Sequence, residues 1–173
     1  MNATSHFSAN FIFCLAVLVS LANSQNAGAK ELASATPAAA AASSAATKKT
    51  PTLALNVGGH AVKAEIAADD ATRQQGLMYR KQLPKNDGML FIFPELGYHA
   101  MWMKDCFIPI SVAYLDEAGK IISIHEMEPQ TENPHRALGP ARYALEMNGG
   151  WFTAHKIKAG DSIKGIEKAP KPS

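Results

Sequence analysis

The sequence predicts a mainly β protein: a single compact antiparallel β-sandwich or barrel with one or two short helices. Three observations carry that expectation. Short runs rich in β-branched and aromatic residues recur through residues 53–166, with turn signals roughly every eight to twelve residues. Gly58-Gly59 and Asp116-Glu117-Ala118-Gly119 each join two such runs, as hairpin turns do. No internal repeat is present, and strands do not alternate with long helices as a parallel α/β sheet requires.

Leu53 to Val57 opens the domain. His60 to Ala67 puts Val62, Ala64 and Ile66 on one face and Lys63 and Glu65 on the other, the period of two of a strand. Asp69-Asp70 places capping and acidic residues ahead of Ala71 to Gln75, predicting a short helix that Gly76 ends. Leu83 to Gly88 is a turn cluster. Met89 to Phe93 is continuously apolar between Gly88 and Pro94, the pattern of a strand buried on both faces. His99 to Met103 and Ile110 to Leu115 are further strands, and Lys120 to Glu126 returns as the hairpin partner of the second. Pro129 to Pro140 is a long polar loop, beyond the usual connection of about 4–6 residues. Arg142 to Met147 is a strand, Asn148-Gly149-Gly150 turns into a short helix from Trp151 to His155, and Gly160-Asp161 leads into a last strand, Ser162 to Gly165.

The ends of the chain read differently. Phe11 to Leu21 is apolar except for Ser20, too short to span a bilayer, which takes about 20 apolar residues. With small residues after it, the segment 1–29 reads as an export signal cut after Ser24 or Ala29, although no Lys or Arg precedes Phe11. The mature domain is then periplasmic or secreted, with no membrane anchor. Residues 30–52, nearly all Ala, Ser, Thr and Pro, bury too little apolar surface to offset ordering and read as a disordered spacer. Residues 167–173 read as a loose tail. Cys14 leaves with the signal, so Cys106 stands alone and forms no internal disulfide.

The net charge of +2 belongs to the ends: within 53–166 there are 12 basic and 13 acidic residues. Without a basic stripe, nucleic-acid binding lacks its electrostatic warrant. No Gly-rich phosphate loop and no nucleophile elbow is present, so no cofactor is expected.

The chemistry concentrates between Gly97 and Asp116, where His99, Lys104, Asp105 and Cys106 interrupt a run of Trp, Met and Phe. Polar groups among large apolar ones are costly unless paired, which marks a site or a hydrogen-bond network. Several motifs around it resemble the Domain of Unknown Function 192 family. They are Arg73-x-x-Gly76-Leu77-Met78-x-Arg80, Gly88-Met89-Leu90-Phe91-x-Phe93, Trp102-Met103-Lys104, Pro109, Leu115-Asp116, Arg142-Tyr143-x-Leu145-Glu146 and Gly160-Asp161. The likeness covers Leu53 to Gly165 and implies a compact, mostly β, often exported domain; it names no reaction. The family has Asn-Thr after Trp-Met-Lys, whereas this chain has Asp105-Cys106, so a role needing a hydroxyl there does not carry over.

The leading expectation is a binding or accessory module for a small anionic or polyhydroxylated ligand, a glycan for example. Arg73, Arg80, Lys104 and Arg142 would donate to it, Trp102 would stack on it and Asp105 would border it. Four separate internal ion pairs on those cations would end that argument. Arg142 or Arg80 pairing with Glu146, Asp105 or Glu126 is the competing reading. An enzyme using Asp105, Asp116 and Glu146 as acid–base groups, a hydrolase or transferase, is the alternative function. A structural subunit of an envelope complex is a third. Cys106 is a nucleophile only if a His reaches it, and His99 lies on the wrong face of a continuous strand; otherwise it is a small core residue. His125, Glu126, Glu128 and His135 lack metal-ligand spacing, and no metal is expected.

Overall fold

The structure, a computed structural model, describes residues 50–173. The export segment 1–29 and the spacer as far as residue 49 lie outside the described residues. The strands are β1 (Thr52–Val57), β2 (His60–Ala67), β3 (Asp87–Gly97), β4 (Ala100–Met101), β5 (Ile110–Leu115), β6 (Ile121–Met127), β7 (His135–Arg136), β8 (Ala141–Asn148) and β9 (Ile163–Lys164). Two short helices, α1 (Asp70–Gln75) and α2 (Trp151–Ala154), complete the set with a 3-10 turn at Ile166–Lys168.

The mainly β expectation holds, in the form of one curled seven-stranded sheet ordered β6-β5-β8-β3-β2-β1-β9. β4 and β7 form a separate ribbon. All neighbours in the large sheet are antiparallel except β2 and β3, which run parallel. A parallel pair needs a crossover of a dozen residues or so, and residues 68–86, which include α1, supply it.

Each face of the sheet buries its own core, which is why β3 is apolar from Met89 to Phe93 and β5 is apolar but for Ser111. Leu90, Ile92, Ala113, Leu115, Leu145 and Met147 face one side, beneath Trp151, Phe152, Ile157 and Ile166. Met89, Phe91, Phe93, Val112, Tyr114 and Ala144 face the other, beneath Leu77, Leu83, Met101, Met103 and Cys106.

Three segments depart from expectation. The strand expected at His99 to Met103 pairs only over Ala100–Met101. Beyond it the Met103 N–H donates to the Thr131 carbonyl (2.9 Å), and the chain turns at Asp105 with φ +57°. The long loop is not featureless, since His135–Arg136 pairs with β4. The tail, expected to be loose, overlaps the 3-10 turn, and its Ser173 N–H donates to the carbonyl of Ala68 just after β2 (3.0 Å).

Candidate functional site

α1 and the turn after Met101 converge over the second core. Asp69 caps α1: its carboxylate accepts from the Thr72 N–H (2.8 Å), completing a capping box. Gly76 ends α1 with φ +48°, and a Cβ there would stand 3.2 Å from Phe91 Cζ. That close approach sets the α1 end directly on β3. Opposite, Ala100 to Cys106 descends onto the same strands. Between them lies a small cleft of about 40 Å³, walled by Arg73, Leu77, Met78 and Met101, with Trp102 and Lys104 also lining it, and reaching Phe91, Cys106 and Glu146.

The four cations are each held internally. Arg73, 5% exposed, donates to the carbonyls of Ala68, Ile92 (3.0 Å) and Ser173 (3.1 Å) and to Asp70 (2.6 Å). Arg80 forks onto Glu65 at 2.6 and 2.7 Å, and that hydrogen bonding holds the Glu65 carboxyl below its ordinary range. Arg142 binds Glu117 (2.7 Å) and the carbonyls of Phe93 and Pro94. Lys104 sits 3.9 Å from Glu132 and 5.8 Å from the Trp102 ring centroid. Arg73, Arg80 and Arg142 thus donate to neighbouring loops and strands and Lys104 is ion-paired to Glu132, so the gathering of free donors that the ligand expectation called for is not what the structure displays. Internal pairing is right in kind, but with Glu117 and Glu65 as partners in place of Glu146, Asp105 or Glu126.

Of the expected ligand set, Arg73, Trp102 and Lys104 line the cleft. Asp105 lies in the same turn, accepting from the Tyr79 hydroxyl (3.4 Å) through its carboxylate and from the Tyr79 N–H (2.9 Å) through its carbonyl. Arg80 borders a different hollow beside Thr50 and Met89. Arg142 stands apart at the β3 bend.

The residue the ligand set missed is Glu146. It lies on β8 between Met89 of β3 and Val112 of β5, on the face that carries Ala144 and Phe91. It is 5% exposed and lines the cleft. Among the described residues no hydrogen bond or ion pair reaches its carboxyl, and burial pushes that carboxyl up to about 8. The sequence carried a signal: a Glu set between Leu145 and Met147, the one charged residue from Tyr143 to Met147.

Cys106 is buried, and burial first, then Glu146 and Asp105, pushes its thiol up to about 12. It is a buried thiol, held in its protonated form at neutral pH. His99 is likewise spent, stacked on Phe93 at 3.6 Å with its Nε2 3.0 Å from the Glu95 carbonyl. The acid–base trio does not assemble: Asp116 caps its own turn through the N–H groups of Ala118 and Lys120, and Asp105 faces Tyr79. Glu126 receives the Ser111 hydroxyl and the Gly150 N–H, while His125 meets Ser123 (3.2 Å). Among the described residues no three His, Cys, Asp or Glu gather around a point a metal could occupy.

A family model described as DUF192, uncharacterized ACR, matches residues 53–165. No curated protein matches the chain. A crystal structure from Sinorhizobium meliloti 1021, described as a candidate transcription regulator, is 33% identical with a TM-score of 0.62, over 66% of this chain and 92% of that one. A protein of unknown function from Novosphingobium aromaticivorans DSM 12444 is 28% identical with a TM-score of 0.61, over 66% of this chain and 84% of that one.

Proposed function

This chain belongs to the DUF192 family, and from that premise we propose that it is an exported binding or accessory module, periplasmic or secreted, for a small anionic or polyhydroxylated ligand. The ligand site is the cleft beneath Trp102, not a patch of arginines. One observation carries the reading: among the described residues no hydrogen bond or ion pair reaches the Glu146 carboxyl, which lines the cleft, 5% exposed, between Met89 and Val112. Burying such a group costs free energy, and an apolar side chain of the same size would pack there without that cost. Its presence is accounted for if a ligand completes its hydrogen bonds. Trp102 lines the same cleft and would border the rest of the molecule. The volume of about 40 Å³ admits one small polar group, well short of the several hundred Å³ of a typical drug-sized site, so the body of the ligand lies outside.

The regulator description of the Sinorhizobium protein is not adopted, because 12 basic and 13 acidic residues over 53–166 give no field to attract nucleic acid. The test is a thermal-shift screen of the protein against polyols, sugars, sugar acids, phosphate and cell-wall fragments, with Glu146→Leu run beside it. A ligand at about 100 times its Kd stabilises by about 2.7 kcal/mol, a rise of several degrees. We expect such a rise in the native protein and its loss in Glu146→Leu. A rise of equal size in the variant moves the site elsewhere; no rise with any compound ends the proposal.

A further inference from the structure

We propose that Glu146 works as an uncharged carboxylic acid, and that the cleft therefore selects an uncharged hydrogen-bonding group, a hydroxyl or a primary amide, over a carboxylate or phosphate. The inference rests on the binding reading above and decides between its two ligand classes.

The geometry around the carboxyl leads there. On its own strand Glu146 follows Ala144; across the ladder it faces Met89 and Val112. Phe91 and Tyr114 share that face. Among the described residues the ionisable groups whose titration it affects are Tyr114 from β5 and Cys106 from the covering turn, both of which its charge would push further up, and both of which are neutral at neutral pH. Arg73 from α1 lines the cleft, yet its guanidinium is turned to Asp70 and to three carbonyls. Lys104 stands by Glu132. Among the described residues no cation is therefore placed to neutralise a carboxylate at this depth, and an anionic ligand brought against Glu146 would add a second uncompensated charge to the site. A protonated acid has the opposite character. It donates one hydrogen bond and accepts another, and the groups that answer both are hydroxyls and primary amides. The upward displacement of its titration, caused by burial, agrees with this state at neutral pH.

Acetamide and acetate make the experiment, because they have the same shape and differ in charge. Binding of each to the full chain is followed at pH 6.5 by carbon-13 NMR of labelled Glu side chains, with Glu146→Gln and Glu146→Leu in parallel. Glutamine keeps one donor and one acceptor without charge; leucine keeps neither. The expected result is a protonated Glu146 signal that acetamide displaces, with acetate at least about tenfold weaker, tenfold being the mark of one lost interaction of ordinary size. Glu146→Gln should retain acetamide binding, and Glu146→Leu should lose it. Acetate binding as well as acetamide, or Glu146 titrating in the ordinary carboxylate range, overturns the inference and leaves the binding reading standing. If neither probe moves the Glu146 signal, the binding site itself is refuted.

Discussion

Glu146 sets the residue-scale behaviour of the protein. Its folded value of about 8 lies above its ordinary 4.5, so between those limits the folded chain holds a proton that the unfolded chain has released. Stability from this group is fully present below about pH 4.5, declines as pH rises, and is gone above about pH 8. Each unit of displacement is about 1.4 kcal/mol, so the loss across the window is several kcal/mol. His99 and His125, held below their ordinary range by burial, act in the reverse sense and only as pH falls below about 6.5. Urea midpoints at pH 5 to 9 should show the native protein weakening with rising pH and Glu146→Gln staying nearly level above pH 6.5. Parallel curves for the two proteins would mean that Glu146 does not titrate in this window. The sequence showed Glu146 as one acid in a motif and a partner for Arg142; burial on a crowded sheet face, which a linear chain does not display, gives it its character.

At the scale of the element, the hairpins and the buried β3 were legible because period, turn residues and apolar runs agree. The turn after Met101 was not, because Trp102-Met103 has the composition of a strand and leaves it for tertiary reasons. Its conformation is held from two sides. The Tyr79 N–H donates to the Asp105 carbonyl (2.9 Å), and the Gln130 N–H donates to the carbonyls of Met103 and Cys106, both at 3.1 Å. Tyr79, Asp105 and Gln130 all have φ near +60°, where a side chain is unfavourable and glycine is not. Strain of this kind, about 1–3 kcal/mol per residue, gathers where surrounding contacts over-determine the backbone, and here it gathers beside the cleft. Replacing Asp105 separates strain from side-chain contact. Asp105→Gly should stabilise by roughly 1 kcal/mol and Asp105→Val should destabilise by at least that much, both read from urea midpoints. Destabilisation by both would assign the position to the Tyr79 contact instead.

At the largest scale, the described residues are built on one seven-stranded sheet with a core on each side, and its central strands belong to both. Leu90 and Ile92 of β3 face the side sealed by α2, while Met89, Phe91 and Phe93 face the side with the cleft. The alternation was readable in β2, where one face is polar, but not in β3 or β5, where both faces are apolar and the period of two leaves no trace. The parallel pairing of β2 with β3 was hidden for the same reason, since strand direction leaves no mark in composition. Sharing β3 has a thermodynamic consequence: neither core can dissolve without taking strands from the other. The two tryptophans report the two sides, Trp151 within the first core and Trp102 at the cleft over the second. Trp102→Phe and Trp151→Phe proteins, each with one fluorophore left, should therefore give coincident urea transitions once referred to their own baselines. Leu90→Ala and Phe91→Ala, one from each core, should each cost about 3–5 kcal/mol and move both fluorescence transitions together. If Leu90→Ala shifts the Trp151 transition and leaves that of Trp102 in place, the two faces unfold independently and the sheet is not the single cooperative unit its topology implies.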